Sequence, residues 1–231
     1  DDDLRRGRPT SHKVFGEALA ILAGDALLTS AFAVLYDNSR IKGVKADRVL
    51  EAAGILARRA GAGGMVSGQT ADLEAEGLLS GGKRRKAAKA QSGRGTKNTL
   101  SLRLIRKLDY IHLHKTADLI TASVEMGAAL AGAGRKNMKI LSEFAAAIGL
   151  CFQITDDMLD VVGDKTKMGK SGSDARNEKF TYASLYGIEA SKAKAAALIA
   201  LARKQIQPLP CPAARKKVLT DIADFVYSRE K

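Results

Sequence analysis

Three carboxylates sit where a core-forming helix leaves little room for charge. The run from 137 to 161 is apolar at helical spacing, yet Phe152-Gln153-Ile154-Thr155-Asp156-Asp157-Met158-Leu159-Asp160 sets Asp156, Asp157 and Asp160 into it. At 3.6 residues per turn, Asp156 and Asp160 lie about 40° apart around the axis and Asp157 about 100° from Asp156. Gln153 falls in the same wedge. Like charges at this spacing repel and weaken the helix. A bound cation removes that cost, and hard oxygen donors suit magnesium, which keeps waters and shares phosphate oxygens. The other arrangement that the spacing allows is a solvated acidic face.

The remaining pattern is helical too. Residues 14–36 (Val14, Ala18, Ile21, Leu22, Leu28, Phe32, Leu35) read as a long buried helix, and Asp25 within it is expected to hydrogen-bond inside the bundle. Segments 44–62, 116–132, 183–204 and 212–229 read the same way, with Pro208 and Pro210 breaking the chain before the last. The fold class is therefore all-α, a helical bundle in one domain of 231 residues, 45% of them hydrophobic. No apolar run is expected to span a bilayer. Cys151 and Cys211 have no metal-binding spacing and form no disulfide framework, which suits a reducing cytoplasm.

The net charge of +13 raises nucleic acid as a partner, but ten of the basic charges lie between 78 and 108, where no acidic residue occurs, so the remainder carries only +3. Between Gly81 and Lys107 there is no aromatic side chain for base stacking, which argues against nucleic-acid binding. Residues 80–108 read as a basic surface loop, dispensable for folding.

Several segments then fall in a telling order. Asp1-Asp2-Asp3-Leu4-Arg5-Arg6-Gly7-Arg8-Pro9-Thr10 comes first, then Gly24-Asp25-Ala26-Leu27-Leu28, then Gly68-Gln69-Thr70-Ala71-Asp72-Leu73. Tyr110-Ile111-His112-Leu113-His114-Lys115-Thr116 follows. The acidic run comes next, with Gly169-Lys170, Asp174, Asn177, Lys179, Thr181 and Tyr182 after it. In this order they resemble the trans-isoprenyl diphosphate synthases, the family of farnesyl and geranylgeranyl diphosphate synthases. The resemblance covers nearly the whole chain outside 80–108.

That resemblance implies an isoprenoid synthase bundle around a central cavity, one polyprenyl synthetase domain over 1–231. It implies a homodimer joined by long helices, with a close-packing face at 122–134. The substrates would be isopentenyl diphosphate and an allylic diphosphate, with about three magnesium ions per site. Asp156 would be the chief metal ligand, with Asp157 and Asp160 supporting it directly or through water, or with Asp157 purely structural. Lys115, Lys170 and Arg5 would contact the allylic diphosphate, with Lys179 in the same role, and Arg6 would contact isopentenyl diphosphate. Thr116 and Gln153 would flank the reacting carbons, Gln69 and Asp72 would face the cavity, and Asp174 would organise Lys170. His12 reads as a structural histidine, and His112 and His114 cannot share a metal. In the family a first Asp-rich motif and further helices precede the RRG segment. The expectation is that the ligands of that motif, and the residues that set product length, lie before Asp1. The chain alone would then have little activity, and a plastid address would need a leader upstream. A non-catalytic partner subunit is the second reading, against which the intact acidic run argues.

Overall fold

The computed structural model describes residues 3–5, 7–76, 97–162 and 181–229. It opens on a two-stranded antiparallel hairpin, β1 (Leu4–Arg5) and β2 (Arg8–Pro9), pairing Leu4 with Pro9. The rest is helix: α1 (Ser11–Phe15), α2 (Glu17–Asp37), α3 (Ala46–Ala60), α4 (Met65–Glu76), α5 (Lys97–Ile111), a π-helical turn (His112–Ala117), α6 (Asp118–Leu130), α7 (Arg135–Val162), α8 (Tyr182–Tyr186), α9 (Ile188–Gln205) and α10 (Ala213–Ser228).

Two apolar clusters organise these helices. In α3 the buried residues Val49, Ala52, Ile55, Leu56 and Ala60 recur at helical spacing and form one stripe. Asp47 in the first turn and Arg58 and Arg59 in the last suit the helix dipole. That stripe packs on Ala122 and Ala129 of α6. The larger cluster surrounds α7, where Phe144, Ile148, Cys151 and Ile154 meet Leu108 of α5, Ile199 and Ala202 of α9 and Ala223 of α10. Farther on, Thr181 and Ser184 cap α8 reciprocally: the Ser184 amide donates to Thr181 Oγ1 (3.1 Å) and the Thr181 amide to Ser184 Oγ (2.9 Å).

Five expectations need correction. The basic loop does not extend to 108, because α5 begins at Lys97 and its Leu108, 1% exposed, is a core residue. The low apolar content of 81–98 hid the start of this helix. The long first helix breaks at Gly16 (φ 84°), and α2 is not buried: among its described residues only Leu35 is. Its apolar side chains lie all round the axis, so periodicity predicts the helix but no one buried face. Asp25 is accordingly exposed. Length and hydropathy also contradict the statement about bilayer-length runs. Glu17–Arg40 (mean hydropathy 2.0) and Arg135–Leu159 (1.3) are each long and apolar enough to cross a membrane, although much of the second is core. Finally, Ala122 and Ala129 of the 122–134 face pack inside the chain on α3, whereas Gly127 on the same helix is exposed.

Leu108→Ala should lower unfolding stability by roughly 2–5 kcal/mol, the usual cost of a cavity at a fully buried leucine. The exposed neighbour change Arg106→Ala should stay within about 0.5 kcal/mol. Denaturant unfolding of the two variants checks this.

Candidate active site

The π turn carries Lys115 and Thr116, and its neighbours approach it unusually closely. A Cβ on Gly68 of α4 would lie 2.1 Å from the Lys115 amide nitrogen and 2.6 Å from the His114 carbonyl carbon. On the opposite side, a Cβ on Gly149 of α7 would lie 2.6 Å from Ala117 Cα. Only glycine admits backbone at these two contacts. Insertions of π geometry are uncommon and recur at functional sites.

Polar contacts then fix each side chain of the turn. Lys115 Nζ donates to Asp72 Oδ2 of α4, an ion pair with both side chains partly buried. Gln69 lies one turn before Asp72 on the same helix and is half-buried. The Thr116 hydroxyl donates to Gln153 Oε1 (2.6 Å), and Gln153 Nε2 donates to Asp157 Oδ1 (2.9 Å). The amide of Gln153 is thereby oriented, with its oxygen toward Thr116.

The two adjacent aspartates have opposite environments. The Asp157 side chain is 6% exposed; its Oδ2 lies 3.3 Å from His112 Nε2 and accepts from the Tyr182 amide (3.2 Å). With Gln153 on its other oxygen, Asp157 is saturated with donors and turned inward. The Asp156 side chain is 48% exposed, and among the described residues only its Oδ1 has a partner, Arg229 Nη2 at 3.0 Å. Arg229 also donates to the Phe152 carbonyl (2.8 Å) and lies over the Phe152 ring at 3.5 Å from its centroid. Tyr182 completes the frame by donating its hydroxyl to Asp109. Burial and that carboxylate push the phenol well above its usual range, so it remains a donor.

Donor chemistry separates these groups as metal ligands. Asp156 fits a hard cation, having one open carboxylate oxygen beside solvent. Asp157 is less open, because it is buried and both its oxygens already have protein partners. Among the described residues no three His, Cys, Asp or Glu side chains form a metal-holding group on their own. A cation here would therefore draw on phosphate oxygens and water as well.

Of the residues expected from sequence, Thr116, Gln153 and Asp157 form one hydrogen-bonded chain, Lys115 pairs with Asp72 beside it, and Asp156 pairs with Arg229 on the next turn of α7. Arg5 is exposed on β1 and, among the described residues, is tied to none of them. Arg6, Lys170, Asp174, Lys179 and the Asp160 side chain lie outside the described residues. His12 lies beside the Thr10 hydroxyl, its Nε2 3.4 Å away.

Sequence reading passed over Arg229, the contact of His112 with Asp157, and a charged brace at the end of the turn. There Arg59 of α3 forks onto Glu125 (Nε to Oε2 2.9 Å, Nη2 to Oε1 2.7 Å) and donates through Nη1 to Asp118 Oδ1 (2.5 Å). Burial pushes Glu125 up, but the hydrogen bonds from Arg59 and Ser142 outweigh it and hold this carboxyl below its usual range. A signal was available: Asp118 and Glu125 are seven residues apart, two turns, on a helix otherwise built for the core. Two carboxylates on such a face require a shared cation.

The polyprenyl synthetase family model matches residues 1–217. The chain is 42% identical to farnesyl diphosphate synthase of Geobacillus stearothermophilus, over all of this chain and 69% of that protein. It is 38% identical to the chloroplastic geranylgeranyl pyrophosphate synthase 7 of Arabidopsis thaliana, over all of this chain and 59% of that one. Its fold matches geranyltransferase of Helicobacter pylori, solved with magnesium and isoprenyl diphosphate. That match has a TM-score of 0.68 and 28% identity, and covers 97% of this chain and 64% of that one. The chain thus spans about three fifths to two thirds of the length of these relatives.

Gly68→Ala should destabilise the protein by roughly 1–3 kcal/mol, an overpacking cost. Helix propensity alone predicts the opposite sign, about 1 kcal/mol in favour of alanine. A thermal melt decides between them, and a higher melting temperature for the alanine variant would contradict the close contact.

Proposed function

The chain belongs to the polyprenyl synthetase family, and from that membership we propose that the whole protein is a trans-prenyltransferase joining isopentenyl diphosphate to a short allylic diphosphate. We favour farnesyl diphosphate as the product over geranylgeranyl diphosphate. The observation that supports the reaction best is the Thr116–Gln153 contact beside Lys115, with half-exposed Asp156 one turn farther along α7.

The difficult step in such a reaction is charge separation. Breaking the allylic carbon–oxygen bond leaves a pyrophosphate anion and an allylic cation. The double bond of isopentenyl diphosphate then attacks the cation, and a proton is lost. Lys115 supplies a fixed positive charge for the leaving diphosphate, and Asp72 aims it. The Thr116 oxygen and the Gln153 amide oxygen place negative partial charge where the cation develops. Preorganised dipoles of this kind need no rearrangement at the moment of reaction. Asp157 holds Gln153 in place, and Arg229 holds the Asp156 carboxylate.

Magnesium bound at Asp156, with Asp160 alongside, would neutralise charge on the leaving diphosphate. We put the number of ions at three and give Asp157 a positioning role rather than ligation. Lys170, Lys179, Arg5 and Arg6 are proposed as further diphosphate contacts. The exposed apolar α2, with Leu19, Leu22 and Leu27, supports a homodimer. Both cysteines are free, which suits the cytoplasm.

The test is incorporation of labelled isopentenyl diphosphate by the protein with whatever its gene places upstream of Asp1. Incorporation should require magnesium. Asp156→Ala should lower turnover by about 10²–10³, with a much smaller effect on isopentenyl diphosphate affinity. Incorporation without a divalent metal, or an unimpaired Asp156→Ala variant, would contradict the proposal.

A further inference from the structure

The π turn has an outer fastening that the reaction does not use. His114 Nδ1 lies 2.7 Å from Asp118 Oδ2. An ionised carboxylate only accepts, so the ring nitrogen donates. The other oxygen of Asp118 accepts from Arg59, and Arg59 is itself forked onto Glu125. His114 is thus tied through one carboxylate to α3, a helix that contributes no group to the Lys115–Gln153–Asp156 cluster. The Asp118 and Glu125 side chains are 6% and 12% exposed, so the two carboxylates at the centre of the tie are buried, while His114 and Arg59 are partly exposed.

We infer that His114 and Asp118 are positioning residues, which fix the register of the π turn and so the places of Lys115 and Thr116. This inference rests on the reading of those two residues as catalytic. A π turn holds one residue more than the α-helical path it replaces. If it slips toward α-helical register, every side chain beyond the slip rotates by about 100°. Lys115 would then leave Asp72, and Thr116 would leave Gln153. Gly68 and Gly149 give the turn room, but glycine notches exert no pull on a side chain. The inner fastening, His112 to Asp157, acts on the start of the turn. The outer one acts at its centre, on the residue next to Lys115. A simple stabilising ion pair between α3 and α6 needs only Arg59, Asp118 and Glu125; it has no use for His114.

The experiment compares His114→Ala with His114→Asn, whose side-chain amide can replace the Nδ1 donor. Lys115→Ala and Thr116→Ala run in parallel. His114→Ala should lower kcat by roughly ten- to a hundredfold, the scale of an ångström-sized misplacement. KM for isopentenyl diphosphate should change little, and His114→Asn should recover most of the rate. Amide hydrogen exchange across His112–Ala117 should quicken at least about tenfold in His114→Ala while that of α3 stays unchanged, a local opening rather than global unfolding. Unchanged exchange in the turn, or His114→Asn as slow as His114→Ala, overturns the inference. Unimpaired Lys115→Ala and Thr116→Ala variants would instead overturn the catalytic reading beneath it. The exchange measurement needs no turnover and still judges the fastening.

Discussion

Everything in the candidate site depends on one steric fact: the backbone of residues 112–117 passes between two helices at a distance that only glycine allows. Gly68 on α4 and Gly149 on α7 each leave the space that a Cβ would fill, at His114–Lys115 and at Ala117 respectively. Because α4 and α7 come this close, Asp72 reaches Lys115 and Gln153 reaches Thr116 with short contacts. A wider groove would leave these side chains to water. In water, neither their geometry nor their electrostatic effect would be prepared in advance.

Electrostatics then assigns different work to neighbours of the same chemical type. Asp156 and Asp157 are adjacent carboxylates, about 100° apart around α7. That rotation sends one toward solvent and Arg229, the other into a pocket of His112, Gln153 and the Tyr182 amide. The outward group can accept a cation, whereas the inward one is committed to protein donors. The three contacts to Asp157 also join the π turn, α7 and α8 at a single atom pair. Tyr182, through its bond to Asp109, then ties the start of α8 to α5.

Much of this was legible in the sequence because helices write their period into it. The apolar stripe of α3 and the long apolar run of α7 fell where spacing placed them, and the order of short motifs identified the family. Spacing marked out the acidic face of α7, and the roles proposed for Lys115, Thr116, Gln153 and Asp156 came from the family resemblance. What spacing could not supply was anything set by contact between distant elements. Gly68 looked like one more helical glycine, because its reason is the Lys115 backbone 47 residues away. The difference between Asp156 and Asp157 depends on Tyr182 and Arg229, which approach α7 from later helices. Leu108 was assigned to a loop because charge dominates the residues before it. The π turn left no mark at all, since its extra residue alters register rather than composition. For α2 the sequence predicted the helix correctly and its burial incorrectly, as expected of a segment that is apolar on every side.

The central claim is that a metal-bound diphosphate is held beside the π turn, at Asp156 and Lys115. The most direct measurement is nuclear magnetic resonance of the isotope-labelled protein with pyrophosphate and the paramagnetic ion Mn²⁺ in place of magnesium. Line broadening should be strongest around residues 113–117 and 153–157, and it should need both metal and pyrophosphate. Broadening centred instead on the cleft of Glu51, Glu125, Arg135 and Ser142, or none at the π turn, would contradict the account.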